Sequence, residues 1–242
     1  MFSWFSSGKK NARHTLFKGM TDIHTHLLPG VDDGVQTVED SIRILHFMHE
    51  TGVERIYLTP HVMTDLPANT PEALQSKYES FLKVCPEGME LRLAAEYMLD
   101  GGFAQLTDKG LLSMHGRHVL VETSYLSPPF ALTEMLYDLR TAGYRPIIAH
   151  PERYLYMRNS DYHKLKEQGC KLQLNLFSLT GAYGLHAERN ATYILKQGLY
   201  DHAGSDVHKL ENYREGITFF SPHKSLQKEL ERIADNNRTL WE

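Results

Sequence analysis

Hydrophobic and polar positions along the chain follow two alternating patterns, which predict short buried strands separated by amphipathic helices. The clearest helix begins at Val38, after the helix-capping residue Thr37, and ends at Gly52, a residue type that commonly follows a helix. Apolar runs between the helices predict buried strands at residues 20–24, 55–59, 90–95, 118–122, 146–150, 171–175 and 201–205. About seven βα units follow one another in this way, and since parallel strands need crossover helices, the pattern predicts a parallel sheet.

These units are not divided by any linker, repeat or low-complexity stretch in the sequence. We therefore expect an α/β fold with a single domain at residues 20–242, preceded by an N-terminal extension at residues 1–19. A closed barrel and an open doubly wound sheet both satisfy the alternation. Neither a GxGxxG nor a GxxxxGK[ST] motif follows the first strand, which disfavours a nucleotide-binding open sheet and favours a barrel.

Residue types that bind metal ions occur at the ends of the predicted strands. The first strand leads into Asp22-Ile23-His24-Thr25-His26, where the two histidines face the same side because residues two apart on a strand do so. Imidazole binds Zn, Mn and Fe, so this pair leaves the identity of the metal open. The further ligand-type residues at strand ends are His61, Glu96, Glu122, His150, Asp206 and His208.

The carboxyl ends of parallel barrel strands converge on one face, which is where active sites form. Carboxylates and imidazoles that are buried there would be desolvated or would repel each other without a compensating cation. The sequence therefore predicts a metal centre, with Glu122 as the member best suited to a supporting role beside the ligands. The Asp32-Asp33-Gly34 triplet just beyond the first strand can form a plain turn or can add one carboxylate ligand.

Two arginines follow the predicted ligands. Arg153 lies three residues beyond His150, and Arg214 lies after His208 in a polar segment that we predict to be a loop. A guanidinium presents a planar fork of donors that matches phosphate oxygens, so both arginines are candidate phosphate-binding residues. The sequence contains neither a Cys-x5-Arg nor a Gly-x-Ser-x-Gly motif, so any hydrolysis should be metal-assisted.

Composition narrows the class of protein further. The 242 residues include 26 Lys and Arg against 30 Asp and Glu, and the net charge of -4 disfavours general nucleic-acid binding. No apolar run approaches the roughly 18 residues that a membrane span needs. Two cysteines are too few for a disulfide scaffold, so a reducing cytoplasm is the expected location. The sequence leaves the oligomeric state open.

Together these motifs resemble the polymerase-and-histidinol-phosphatase (PHP) superfamily of metallohydrolases. Within it, the chain is most similar to the bacterial capsule-associated tyrosine phosphatases of the CpsB/CapC/YwqE type. The resemblance rests on DIHTH at 22–26, VDDG at 31–34, TPH at 59–61, AE at 95–96, IAHPERY at 148–154 and SDVH at 205–208. The fold that this resemblance implies is an irregular (β/α)7 barrel of the PHP type.

The resemblance also implies a cluster of three divalent metal ions, with Mn as the first expectation and Fe or Zn as alternatives. Carried over to this chain, the ligands of one metal are His24, His26, Glu96 and Asp206. The ligands of the second are Glu96, Glu122 and His150, and those of the third are Asp33, His61 and His208. Arg153 and Arg214 would hold the phosphate, although Tyr213 occupies the place of the family's second arginine and Arg214 follows one residue later.

The activity that the resemblance implies is hydrolysis of protein phosphotyrosine by a metal-activated hydroxide, without a covalent intermediate. The partner that it implies is a bacterial tyrosine autokinase, in the regulation of capsule or exopolysaccharide export. Two alternatives stay open. One is a phosphatase of a small phosphomonoester, such as histidinol phosphate or a nucleotide, and the other is a metal-binding regulatory protein without turnover.

Overall fold

A computed structural model of the protein describes residues 16–85, 88–107 and 109–242. The strands in these residues are β1 (Met20–Asp22), β2 (Val53–Leu58), β3 (His61–Val62), β4 (Glu90–Leu93), β5 (Glu96–Met98), β6 (His118–Glu122), β7 (Arg145–Ala149), β8 (Lys171–Asn175) and β9 (His202–Gly204). The helices are α1 (Val38–Thr51), α2 (Pro71–Leu82), α3 (Ala104–Thr107), α4 (Leu132–Thr141), α5 (Asn159–Glu167), α6 (Gly184–Lys196), α7 (Leu210–Phe219) and α8 (Lys224–Asn236). Most of the predicted extension, residues 1–15, lies outside the described residues, whereas Leu16 and Phe17 pack in the hydrophobic core.

The described strands form two parallel sheets. One sheet contains three strands in the order β1-β2-β4, and the other contains six strands in the order β3-β5-β6-β7-β8-β9. All strand pairs in the two sheets are parallel, so the predicted α/β class with parallel strands is confirmed. Among the described residues, no helix is both long and apolar enough to cross a lipid bilayer.

Helix α1 shows how local sequence determines the ends of an element. The Thr37 side chain accepts a hydrogen bond from the backbone N–H of Asp40 at 3.1 Å, which satisfies one of the free donors at the helix N-terminus. Gly52 follows the helix with a φ of 105°, a left-handed conformation that glycine adopts at low cost. Between these ends, Ile44 and Leu45 are buried as the helix packs against β2, so the predicted helix is confirmed.

The strand predicted at residues 90–95 ends at Leu93, and a second strand in the other sheet begins directly after the predicted range. β4 pairs with β2 in the small sheet, whereas β5 begins at Glu96 and pairs with β3 and β6 in the large sheet. The backbone N–H of Ala94 donates to the carbonyl of Leu58, and the N–H of Glu96 donates to the carbonyl of Pro60. The prediction that Glu96 ends a strand is therefore wrong, because the chain crosses between the sheets just before it and Glu96 begins a new strand.

The segment around Arg214, predicted to be a loop, is the helix α7. Tyr213 and Gly216 are three residues apart and both buried, which places them on one face of this helix. Arg214 lies about 100° around the helix axis from Tyr213, and its side chain is exposed. The apolar residues Leu210, Tyr213 and Ile217 recur at helical spacing in this segment, a signal of a helix that the prediction of a loop overlooks.

Residues beyond β1 and β9 connect the first strand of the chain with the last. Thr25 and Val207 form a parallel bridge, and the backbone N–H of His26 donates to the carbonyl of Val207 at 3.0 Å. The buried carboxylate of Asp22 adds to this connection, since its Oδ1 accepts from the N–H of Ser205 at 3.1 Å. Burial raises the pKa of Asp22 to about 6. The residues that follow the two strands are therefore held side by side.

We expect Gly216→Ala to lower the free energy of unfolding by about 1–3 kcal/mol, because a Cβ there overpacks the core. Alanine in a helix interior ordinarily stabilises by up to about 1 kcal/mol relative to glycine. At this position, however, a Cβ would lie 2.4–2.6 Å from ring atoms of the buried Phe177. Urea denaturation followed by circular dichroism measures the effect. Gly101→Ala is the control, because a Cβ there meets no heavy atom within 4 Å, and equal losses in both variants would contradict the prediction.

Candidate metal centre

The predicted metal-ligating side chains lie together where β1, β6, β7 and β9 end and where β3 and β5 begin. Their nitrogen and carboxylate oxygen atoms form four overlapping groups, and within each group these atoms lie within 4.8 Å of one another. The groups are His24/His26/Asp206, His24/Glu96/His150, His61/Glu96/Glu122 and His26/Asp33/His61/His208. The structure therefore brings together all nine residues that the sequence analysis selected as ligands.

The innermost group surrounds the facing imidazoles of His24 and His26. Their Nε2 atoms are 3.2 Å apart. Glu96 Oε2 lies 3.1 Å from the first of these nitrogens and 3.3 Å from the second, and Asp206 Oδ1 lies 3.3 and 3.2 Å from them. All four residues are buried. Two imidazole nitrogens and two carboxylate oxygens thus converge on one buried space.

The outer nitrogens of the same two rings determine what can occupy that space. His24 Nδ1 lies 3.1 Å from Gln173 Oε1, and His26 Nδ1 lies 2.8 Å from Asp32 Oδ2. Both partners are hydrogen-bond acceptors, so each neutral ring carries its proton on Nδ1 and turns the lone pair of Nε2 inward. Two inward lone pairs beside two carboxylate oxygens fit a divalent cation of the type that imidazole and carboxylate ligands bind.

Glu96 connects this group with a second one. Its Oε1 lies 3.1 Å from His150 Nε2, while its Oε2 faces the first group. Glu122 lies beyond, with Oε2 4.0 Å from His150 Nε2 and Oε1 3.0 Å from the Nδ1 of His61. That Nδ1 atom is buried and, despite this short contact, makes no aligned hydrogen bond. Glu96 is placed to contact two cations at once.

The third group lies on the outside of the cluster. Asp33 Oδ1 is 3.5 Å from His61 Nε2 and 3.4 Å from His208 Nε2. The ring of His208 stacks on that of His26, with 4.0 Å between the ring centroids. The side chain of Asp33 is 73% exposed, in contrast to the buried inner groups, so this part of the cluster is the part that meets solvent.

The charges of the cluster change the pKa values of its members. Burial lowers the pKa of His24, but the carboxylates of Glu96 and Asp206 outweigh burial and raise that pKa to about 9. Burial raises the pKa of Glu96, yet the neighbouring histidines outweigh it and hold that pKa well below its usual range. Without a cation, His24 therefore keeps a proton at neutral pH on a ring that faces two carboxylates.

Two of the candidate ligands have an unusual backbone. His150 has a φ of 33° and Asp206 a φ of 54°, both in the left-handed region that side chains other than glycine rarely adopt. Such a conformation costs on the order of 1–3 kcal/mol and persists where the surroundings enforce it. His150 directly follows β7, and Asp206 lies two residues beyond the end of β9. The backbone turns at both places as it leaves the sheet. The sequence does not reveal these conformations.

Two residues that support the ligands were missed by the sequence analysis. Asp32 is the neighbour of the predicted ligand Asp33, and it accepts from the backbone N–H of His61 at 3.0 Å as well as contacting His26. Gln173 is completely buried in β8. Its only sequence signal is a polar residue between two leucines of a buried strand, which is a weak signal because the strand ends in no metal-ligating residue type.

Glu152 is buried and organises the turn that follows β7. Its Oε1 accepts hydrogen bonds from the backbone N–H of Asn175 at 3.0 Å and from the hydroxyl of Ser178 at 2.8 Å, and its Oε2 accepts from the hydroxyl of Tyr200 at 2.8 Å. Burial raises the pKa of Glu152. These bonds fix the turn that carries Arg153.

The two predicted phosphate-binding arginines have different positions. Arg153 Nη1 donates to Asp206 Oδ2 at 2.6 Å, so its guanidinium lies at the inner group. Arg214 is exposed on α7, with its Cζ 5.0 Å from the centroid of the Phe47 ring. Tyr213, at the preceding position, points into the core between Phe47 and Phe177. The structure therefore brings Arg153 to the cluster, whereas the Arg214 side chain packs on Phe47, on a different face of α7 from the buried Tyr213.

A family model described as "Capsular polysaccharide synthesis, CpsB/CapC" matches residues 20–231. The chain belongs to this family. Within the CpsB/CapC family it is similar to the tyrosine-protein phosphatase YwqE of Bacillus subtilis, with 30% identity over 237 residues that cover 91% of each chain. The resemblance seen in the sequence motifs is thereby confirmed.

Solved structures resemble this CpsB/CapC-family chain as well. One belongs to a pair described as unique metal-dependent tyrosine phosphatases, YwqE from Bacillus subtilis and CpsB from Streptococcus pneumoniae. It matches with a TM-score of 0.75 and 26% identity, over 90% of this chain and 95% of that chain. An amidohydrolase from Burkholderia ambifaria, solved with bound Zn, matches with a TM-score of 0.55 and 12% identity, over 99% of this chain and 90% of that chain. The latter likeness shows a shared fold alone.

We expect metal affinity to rise with pH up to about pH 9, because bound metal needs neutral imidazole and must displace the proton of His24. The pKa of about 9 on this ring means that the competing proton is present throughout the neutral range. Isothermal titration calorimetry of metal-free protein, in buffers of different ionisation enthalpy, measures the protons released. His163→Gln, which changes an exposed histidine of α5, should leave this release unchanged. An affinity that does not vary with pH would contradict the prediction.

We expect Asp32→Asn to weaken metal binding by about 10- to 100-fold, as changes to groups that orient metal-binding histidines typically do. The amide removes the negative charge that Asp32 places 2.8 Å from His26 Nδ1. Competition with a chromophoric chelator measures the affinity. Asp138→Asn on α4 is the matched control, because this exposed carboxylate lies outside the cluster. Equal affinities in the two variants would show that Asp32 does not support the centre.

Proposed function

We propose that this CpsB/CapC-family chain is a metal-dependent protein tyrosine phosphatase. The observation that carries the proposal is the buried convergence of His24, His26, Glu96 and Asp206, with the guanidinium of Arg153 beside it. Ligands for cations next to a fixed guanidinium are well suited to hydrolysis of a phosphate ester, because both neutralise charge on the phosphoryl group. The names of the similar proteins support the substrate class, since YwqE is a tyrosine-protein phosphatase.

We propose further that the centre holds three divalent cations, manganese in the first place, with Fe or Zn as alternatives. His24, His26, Glu96 and Asp206 would hold one, Glu96, Glu122 and His150 a second, and Asp33, His61 and His208 a third. Four ligand groups that overlap through His24, His26, His61 and Glu96 support a centre with more than one cation. When bound, such cations lower the pKa of water toward neutrality and neutralise charge on the transferring phosphoryl group.

The residues of the chain contribute orientation and charge. Asp206 is divided between two tasks, since Oδ1 faces the inner histidines while Oδ2 accepts from Arg153 and from Asn175 Nδ2 at 3.1 Å. The remaining N–H groups of Arg153 are the donors that would orient a phosphate. The leaving phenolate has a conjugate-acid pKa of about 10, so it departs without needing a dedicated general acid. Arg214 as a second phosphate-binding residue stays a prediction.

The proposal extends to the architecture of the protein, its location and its physiological substrate. We propose that the two sheets close into an irregular (β/α)7 barrel of the PHP type, which the bridge between Thr25 and Val207 supports. Residues 20–242 would form its single domain. We propose a cytoplasmic location and, as substrate, a phosphotyrosine protein such as a bacterial tyrosine autokinase. The family description, capsular polysaccharide synthesis, supports a role in capsule or exopolysaccharide regulation.

We expect the Mn-loaded protein to release phosphate from a phosphotyrosine peptide, and a chelator to abolish this release. His150→Ala should lower kcat/KM by about 10- to 100-fold or more, because it removes a ligand that faces Glu96. His163→Ala, at an exposed position of α5, is the control that should retain activity. Malachite-green detection of phosphate measures each rate.

Other results of the same assay favour the alternatives. A far higher kcat/KM for histidinol phosphate or a nucleotide than for the peptide would identify a small-ester phosphatase. Metal binding without turnover of any ester, together with a biological effect that survives His150→Ala, would identify a regulatory protein.

A further inference from the structure

The guanidinium of Arg153 lies against two tyrosine rings that come from different loops. Its Cζ is 4.7 Å from the ring centroid of Tyr125 and 4.1 Å from that of Tyr183, both within the range of a cation–π contact. Tyr125 belongs to the loop that follows β6, and Tyr183 directly precedes α6. We call these two residues the aromatic clamp.

The clamp is not explained by packing of the core. Tyr125 is 38% exposed and Tyr183 is 37% exposed, whereas the tyrosines that fill the interior are almost completely buried. Large aromatic rings that remain this exposed lose much of the stabilisation that burial gives. What the two rings share is their contact with Arg153, whose side chain is only 17% exposed.

The loop that carries Tyr125 is fixed to the turn that carries the arginine. The carbonyl of Tyr125 accepts from the backbone N–H of Leu155 at 2.8 Å. Its ring also contacts His150 and Tyr154, with centroid separations of 5.9 and 6.0 Å. The ring of Tyr125 is therefore held in position by contacts other than the one with Arg153. This independence allows the ring to orient the guanidinium.

The position of the guanidinium matters because one of its donors is already used. Arg153 Nη1 is bound to Asp206 Oδ2, so an anion would be held by the remaining donors of the fork, whose direction depends on the plane of the group. Among the described residues, Arg153 is the arginine with an ion pair to a carboxylate of the cluster, whereas Arg214 packs beside Phe47 in this structure. Orientation of an anion at the cluster then depends on how firmly one flexible side chain is held.

We propose that Tyr125 and Tyr183 are positioning residues that hold the Arg153 guanidinium in the orientation that binds the phosphoryl group. The inference rests on the proposed phosphatase function and assigns these two tyrosines a part in it. The face of each ring does this work, and the hydroxyl does not. Phenylalanine should therefore substitute for either tyrosine without loss, whereas leucine, a smaller apolar side chain without π electrons, should not.

The test compares leucine and phenylalanine at each position in the metal-loaded, full-length protein. Tyr125→Leu and Tyr183→Leu should each weaken the binding of inorganic phosphate, measured by calorimetry, and raise the KM for 4-nitrophenyl phosphate by about 3- to 10-fold. The value of kcat should change less. Tyr125→Phe and Tyr183→Phe should remain within about twofold of the parent protein, since the cation–π contact is retained. Metal content and thermal stability are measured on every variant.

A double-mutant cycle separates positioning from direct contact with the ligand. In an Arg153→Ala background the leucine substitutions should have no further effect, because the group that they position is gone. Full, additive losses in that background would mean that the rings contact the ligand themselves, and would overturn the proposal. Phosphate binding by the leucine variants equal to that of the parent would overturn it as well.

The test of the aromatic clamp can be interpreted even if the protein is not a phosphatase. Should the parent protein hydrolyse no ester, the proposed function fails, while the calorimetric binding of phosphate still measures the clamp. Where a leucine variant does not fold, Tyr125→Met or Tyr183→Met makes the same comparison with a more adaptable side chain.

Discussion

The arrangement of the cluster depends on the buried carboxylate of Glu96. One of its oxygens faces His24 and His26, and the other faces His150, while the residue itself has no exposed surface. A carboxylate in such a place is strongly unfavourable unless positive charge surrounds it, and uncharged imidazoles do not provide that charge. Protons on the histidines or divalent cations are the two ways to meet the demand. Only divalent cations leave the histidine nitrogens unprotonated and able to act as ligands. The buried charge of Glu96, which would otherwise destabilise the fold, therefore favours metal binding.

The scaffold meets this demand by an unusual path of the chain. Glu96 reaches the centre because the backbone passes from the small sheet to the large one just before it. His150 and Asp206 reach it through left-handed backbone conformations. Behind the ligands, Asp32 and Gln173 each accept from one histidine ring and so decide which nitrogen faces inward. The metal-ligating atoms are thus fixed from behind by ordinary hydrogen bonds. Separate bonds hold the left-handed backbone, since the N–H of Asp206 donates to the carbonyl of His24 at 2.8 Å and that of His150 donates to Gln173 Oε1 at 3.3 Å.

Much of this could be predicted from residue types and their spacing. Alternating strands and helices indicated parallel sheets, and ligand-type residues beside successive strands indicated one cluster, since the ends of parallel strands meet. The remainder depends on partners that a linear pattern does not show. No residue in the segment between β4 and β5 indicates that the chain passes there from the small sheet to the large one. Gln173 gains its role from the histidine opposite it, and the direction of Arg214 depends on which face of α7 the buried Tyr213 and Gly216 define.

The cluster also collects its members from almost the whole length of the chain, from His24 to His208. Asp206, which contacts both inner histidines, is reached only after every strand of both described sheets has been made. During synthesis, therefore, the growing polypeptide passes through a long period in which its early histidines have no acidic partner from β9. Metal acquired in that period would meet a partial and mobile set of donors with little selectivity. The complete set of donors exists only after residue 208 has been synthesised and folded into place, so binding at the whole centre follows folding and does not guide its beginning.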